Sequence, residues 1–407
     1  MTVVGICFLL VLAVPAWAQP AIPPNTWVQL SPVHETNART FGGAAWDSVR
    51  HKVLHFGGGD PGYWGNQIAS YDPVTNDWTD DYTPEPIATY EGVYPGASCM
   101  IEAECPGTGI PTNKCAGGAC RNCIVGEPPE IWNAITPLGR PWVAHVEDFL
   151  TFDTTRGRLF MLGGAGGKRC LHSTSTVWEY DPSAASWLNK SQPNGSPPGQ
   201  CTAGAAVYDA DADRVIVRCG SFANTWIYNP GANTWLDANP PTSPAIRASF
   251  SMEYDRVNRR VVLFGGVKSG VVYGDTWAYD VAANTWTNMN PPTTPSPRLG
   301  AGMVYDTAHE VLILWGGKDL NAQLADTWTY RYASNTWTQL APAAAPPPFT
   351  PRGAMVYDAA DDMVILMTFV TALYAPDAPT GGMTTTWGFR YAPSSVPPGT
   401  PVPPVLL

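Results

Sequence analysis

The sequence predicts an all-β fold: a ring of six four-stranded blades, a β-propeller, closed by its own N-terminal strand. Three observations carry this. Tryptophans at Trp27, Trp78, Trp187, Trp235, Trp286 and Trp337 recur about every 50 residues, with one interval roughly twice as long. Upstream of them stand short apolar runs at 53–56, 159–162, 215–218, 261–264, 311–315 and 363–367, most of them closed by glycines such as Gly265-Gly266 and Gly316-Gly317. Finally, Asn25-Thr26-Trp27-Val28-Gln29-Leu30 returns almost letter for letter at 335–340, and in shorter form at Asn233 and Asn284. Those later copies end a repeat. The first copy precedes every repeat, and the last repeat, near Trp387 and Tyr391, has none. A strand spare at the front and one missing at the back predict a closed ring.

In chain order, residues 1–18 read as a signal peptide. The apolar run 3–14 is shorter than the roughly 20 residues of a membrane span and is followed by Ala16-Trp17-Ala18, a small-x-small cleavage pattern. Residues 19–392 form the propeller, with 25–30 as its closing strand. A Cys-rich insertion at about 80–138, between blades one and two, accounts for the long interval. The type repeat is 298–340. Its first strand at 300–305 leads through a polar turn at 306–310 to the apolar second strand 311–315, and the third and fourth follow at 326–330 and 336–340. Such a blade cannot bury its own faces and needs neighbours. Residues 393–407 are a Pro-rich tail.

The glycine pair after an apolar strand, then a tyrosine, then an outer-strand tryptophan, as in Gly265-Gly266, Tyr279 and Trp286, resembles the kelch-repeat family. The resemblance covers the mature chain except the insertion and the tail. It implies a propeller, but it leaves binding modules, scaffolds and enzymes all open. Copper radical oxidases similar to galactose oxidase would need two histidines, tyrosines and a cysteine at one metal. His34, His51, His55, His145, His172 and His309 form no such set, so neither metal nor cofactor is expected. A kelch-type sugar epimerase, with His145 or Glu147 as base, stays open as an alternative.

The loops that lead into each first strand, and those that join second to third strands, open on one face. All eight mature cysteines fall there: Cys99, Cys105, Cys115, Cys120, Cys123, Cys170, Cys201 and Cys219. An even set in an exported chain reads as disulfides. Cys201 and Cys219 flank one turn symmetrically and are expected to pair, leaving Cys170 for an insertion cysteine. The C-x4-C-x2-C spacing of Cys115, Cys120 and Cys123 lacks a matching fourth zinc ligand. Asp209, Asp211 and Asp213 resemble the start of a calcium loop without its glycine and glutamate, so turn chemistry explains them.

The same face collects cations. Arg39, His145, Arg247 and Arg298 occupy equivalent positions, with Arg352 displaced by two, while Lys168, Lys268 and Lys318 follow glycine pairs. A ring of this kind suits a carboxylate, sulfate or phosphate. Alternatively, each arginine bonds carbonyls or carboxylates of the blades. Trp64, Trp132 and Trp142 exceed what the repeat requires and suit sugar stacking or a protein interface. Net charge of −11 disfavours nucleic acid. The expectation is a secreted, extracellular or periplasmic, monomeric binding module for a glycan or another exported protein, without a membrane span; a purely structural envelope protein is a further alternative.

Overall fold

The computed structural model describes residues 21–36, 39, 42–58, 66–84, 113–116, 119–122, 138–141, 144–166, 177–190, 201–348, 354–369 and 384–393. Six four-stranded antiparallel sheets form the blades. The first comprises Gly42–Asp47, Lys52–Gly57, Ala69–Asp72 and Asp77–Asp80, and the second Leu150–Asp153, Arg158–Met161, Trp178–Asp181 and Ser186–Asn189. Blade three runs through Ala205–Asp209, Arg214–Arg218, Thr225–Asn229 and Thr234–Asp237; blade four through Ser251–Asp255, Arg260–Phe264, Thr276–Asp280 and Thr285–Asn288. Blade five is Gly302–Asp306, Val311–Trp315, Thr327–Arg331 and Thr336–Leu340. The sixth, Ala354–Asp358, Met363–Phe369 and Thr384–Phe389, takes Trp27–Gln29 as its outer strand.

That last pairing closes the ring as the spare copy requires: Trp27 lies opposite Phe389, Val28 opposite Gly388 and Gln29 opposite Trp387. First strands of successive blades touch all the way round, blade six meeting blade one. The cores lie between blades. One cluster joins Val262 and Phe264 of blade four to Met303, Leu312, Leu314 and Trp337 of blade five. Past the half-buried Lys or Arg that opens most of them, the second strands are buried because both faces are covered, which is why their interiors read as apolar runs.

The recurrent Asn-Thr-Trp has a physical reason at each letter. Asn76, Asn233, Asn284 and Asn335 take left-handed φ of 48 to 52° at the turn between third and fourth strands, a conformation asparagine tolerates better than most residues. Each accepts a tyrosine hydroxyl on Oδ1, as from Tyr279 to Asn284 at 2.7 Å, and its Nδ2 reaches a carbonyl outside its own blade, as from Asn284 to Ala238 at 2.6 Å. The tryptophan stacks beside that same tyrosine, Tyr279 and Trp286 lying 5.0 Å apart. Its indole N–H then crosses to the preceding blade. Trp286 donates to Thr225, Trp337 to Thr276, Trp27 to Thr327 and Trp78 to Thr386, all at 2.8 to 3.0 Å. Where Ile68 replaces the threonine, Trp187 uses the Tyr82 hydroxyl at 2.6 Å instead. Where Val177 replaces it, the Trp235 indole N–H is buried with no partner among the described residues.

Gly265 and Gly266, at φ of 71 and 104°, end the second strand of blade four. A side chain on Gly265 would strike the Arg298 carbonyl, and the Gly266 amide donates to that carbonyl at 2.8 Å. The pair therefore lets blade five's leading loop lie against blade four.

Candidate functional site: the loop face

Loops leading the first strands and joining second to third strands share one face, and the arginines are spent within it. Arg298 is buried and holds Asp326 in a fork, Nη1 to Oδ1 at 2.6 Å and Nη2 to Oδ2 at 2.9 Å. Its remaining donors go to the Gly316 and Ser296 carbonyls and the Ser296 hydroxyl. Arg247 repeats the arrangement with Asp275 and the Gly265 carbonyl, and its guanidinium lies 3.9 Å from the Tyr273 ring centre. Burial works to raise Asp275 and Asp326, but the arginine and the neighbouring indole N–H of Trp277 or Trp328 hold both carboxyls below the usual range. Arg39 is likewise buried and donates to the Gly57 carbonyl at 3.2 Å, with Gln67 at the position of Asp275 and Asp326.

The expected ring of open cations is therefore not what Arg39, Arg247 and Arg298 build. All three are buried at strand ends, and Arg247 and Arg298 are also neutralised by Asp275 and Asp326, so the anion-binding reading loses them as open cations. Arg352, Lys168, Trp64, Trp132 and Trp142 lie outside the described residues, as do Cys99, Cys105, Cys123 and Cys170. For His145 only the backbone is described, paired with Ala165. The insertion holds a two-stranded ribbon, Asn113–Ala116 with Ala119–Asn122, whose register sets residue Cys115 opposite Cys120. Cys201 and Cys219 are bonded as the spacing predicts, tying the approach to blade three's first strand to the end of its second.

What the face does expose are loop tips on consecutive blades: Phe222 on blade three at 37 %, Val271 on blade four at 56 % and Leu320 on blade five at 66 %. Lys268 and Lys318 stand beside the latter two. Each tip is braced. Arg218, buried at the root of the blade-three loop, donates to the Ala223 and Pro244 carbonyls at 2.9 and 2.6 Å; burial and then the nearby Arg247 charge push it down to about 10. On blade four, Val267–Lys268 and Val271–Val272 form a small ribbon. On blade five, Asp319 Oδ1 accepts the Asn321 and Ala322 amides at 2.6 and 2.7 Å. Sequence reasoning missed these tips, since single apolar residues in loops have no periodicity.

The opposite face is made of tight turns. Asp47, Asp153, Asp209, Asp255, Asp306 and Asp358 are buried there and accept amides two or three residues on, as Asp209 does from Asp211 and Ala212. This is turn chemistry, as expected for Asp209. Arg156 bridges Asp153 to Asp213 of the next blade at 2.6 Å to each and, by its hydrogen bonds, lowers Asp213 to about 2. His309 takes Arg156's place between Asp306 and Asp362, at 2.8 and 3.7 Å, which accounts for that His/Asp group. No helix among the described residues is long and apolar enough to cross a membrane. Compared with known families, residues 149–368, more than half of the chain, match the model described as the KLHDC2/KLHL20/DRC7 Kelch-repeats domain.

Proposed function

The chain belongs to the kelch-repeat family of β-propellers, whose members serve as protein-interaction modules, and on that premise we propose that it is a secreted module that docks another exported protein on its loop face. One observation supports this most: Phe222, Val271 and Leu320 are exposed apolar tips on three successive blades, each held by its own bracing. Isolated exposed apolar residues need no explanation, but a row on one face of a rigid scaffold is a docking surface with little ordering cost. Lys268 and Lys318 favour a partner whose apolar anchor is flanked by acidic residues. The Cys201–Cys219 bond fits an oxidising compartment, in line with export past residue 18. With Arg247 and Arg298 neutralised by Asp275 and Asp326, a partner with an apolar anchor fits this face better than an anionic glycan.

The test is photo-crosslinking from the loop face of the exported protein in its native medium, with a glycan array in parallel. Wild type and a turn-face control, Val49→Ser with Val257→Ser, should give the same protein adduct, and Phe222→Ser, Val271→Ser, Leu320→Ser together should lose it. An adduct unaffected by the triple change, or array binding with no protein adduct, would refute the reading. N-terminal sequencing of the exported form should begin at Gln19.

A further inference from the structure

The first strands enclose a central channel of about 310 Å³, lined by residues of all six blades. On the turn face its mouth is ringed by Ser48, Thr154, Ala210, Arg256, Thr307 and Ala359, the residues that follow the six turn aspartates. Deeper in, Val207, Met303, Val304 and Val356 supply aliphatic wall. One side chain breaks this pattern. Two residues before the turn aspartate, the blades carry Ala45, Thr151, Val207, Val304 and Val356, but blade four carries Glu253.

Glu253 lines the channel with no ion-pair partner among the described residues; its Oε1 accepts the Tyr254 amide at 2.8 Å. A half-buried carboxylate without a counter-charge is costly, and valine at the same place in other blades shows that the ring does not require it. Burial pushes the carboxyl up to about 7, and the negative charge of Asp148, also on the channel wall, adds to that. Three residues along, Arg256 stands exposed at the mouth, roughly 10 Å away by strand rise.

We propose that the channel is a binding site for a small organic monocation, a protonated primary or secondary amine with an apolar body, with Glu253 as its counter-ion. The volume lies at the low end of ligand pockets, which run from about 300 to 1,000 Å³, so a peptide is too large. A divalent metal would want six or so oxygen ligands with several carboxylates among them, whereas these walls set two carboxylates among hydroxyl and apolar side chains. An ammonium needs one counter-charge, and its hydrocarbon replaces water against valine and methionine. Arg256 at the mouth repels a second positive charge, which selects monoamines over polyamines. This site is separate from the loop face and stands or falls without it.

Calorimetry with benzylammonium and n-hexylammonium tests it, with benzyl alcohol, benzoate and calcium as controls. Both amines should bind one to one and the controls should not. Glu253→Gln and Glu253→Val should each weaken amine binding by about 10-fold or more, the loss of a charge-assisted contact. Glu253→Val should also melt higher at pH 8 than wild type, which shows that the variant is folded. No heat with either amine, calcium binding in their place, or a folded Glu253→Val variant that binds as wild type does would each overturn the proposal.

Discussion

The threonine to tryptophan bonds that cross between blades lead to paired substitutions of opposite sign. Thr276→Val keeps the side-chain shape but removes the acceptor that Trp337 Nε1 holds at 2.9 Å, and both side chains are buried. An N–H left unpaired in a buried site costs about 1 to 3 kcal/mol, and with no cavity opened that is the whole effect. Blade three already lives with this defect: Val177 stands in the threonine's place, and Val177 and the unpaired Trp235 share one core cluster. Val177→Thr should therefore repair it, raising stability by about 0.5 to 1.5 kcal/mol, where a new buried hydroxyl would ordinarily destabilise. Denaturant unfolding of the two variants and wild type, followed by tryptophan fluorescence at constant m, is the assay. If Val177→Thr destabilises, or Thr276→Val is neutral, the cross-blade bonds do not hold the blades together.

Glu253 gives a pH signature. Its folded pKa of about 7 exceeds the ordinary 4.5, so its contribution is fully present below about pH 4.5 and is lost as pH rises through 7. The loss is about 3 kcal/mol at most, and Glu253→Val should flatten melting temperature against pH, leaving the slope due to Glu35, which burial also raises to about 7. Arg298→Ala should cost about 3 kcal/mol by stranding Asp326, yet leave calorimetric titrations with uronate and sulfated oligosaccharides unchanged. Cys201→Ser with Cys219→Ser should lower stability by about 3 kcal/mol, the loop-closure value for a separation of 18 residues, as read by chemical unfolding.

Blade count, ring closure and the Cys201–Cys219 bond were legible because each rests on short-range sterics repeated in register: left-handed asparagine turns, glycines under a neighbouring loop, and a tryptophan for each wedge. The arginines were legible as positions but not as environments. Their carboxylates stand 28 residues downstream, Asp275 after Arg247 and Asp326 after Arg298, a constant offset visible in the sequence once the third strand is aligned. At the same offset from Arg39 comes Gln67, which marks blade one as different. Phe222, Val271 and Leu320 could not be found that way, because loop tips obey no period. Glu253 could have been, as the one charge in a column of alanine, threonine and valine.

Every blade-to-blade equivalence, from Thr276 and Val177 to the singular place of Glu253, depends on one closed register in which the N-terminal strand completes blade six. Replacing Gln29 and Trp387, directly opposite each other in that pairing, with cysteines gives the most direct measurement. Non-reducing peptide mapping should recover a 29–387 disulfide within a single chain, formed without added oxidant catalyst. Free thiols at both positions, or a bond found only between two chains, would contradict the closed ring.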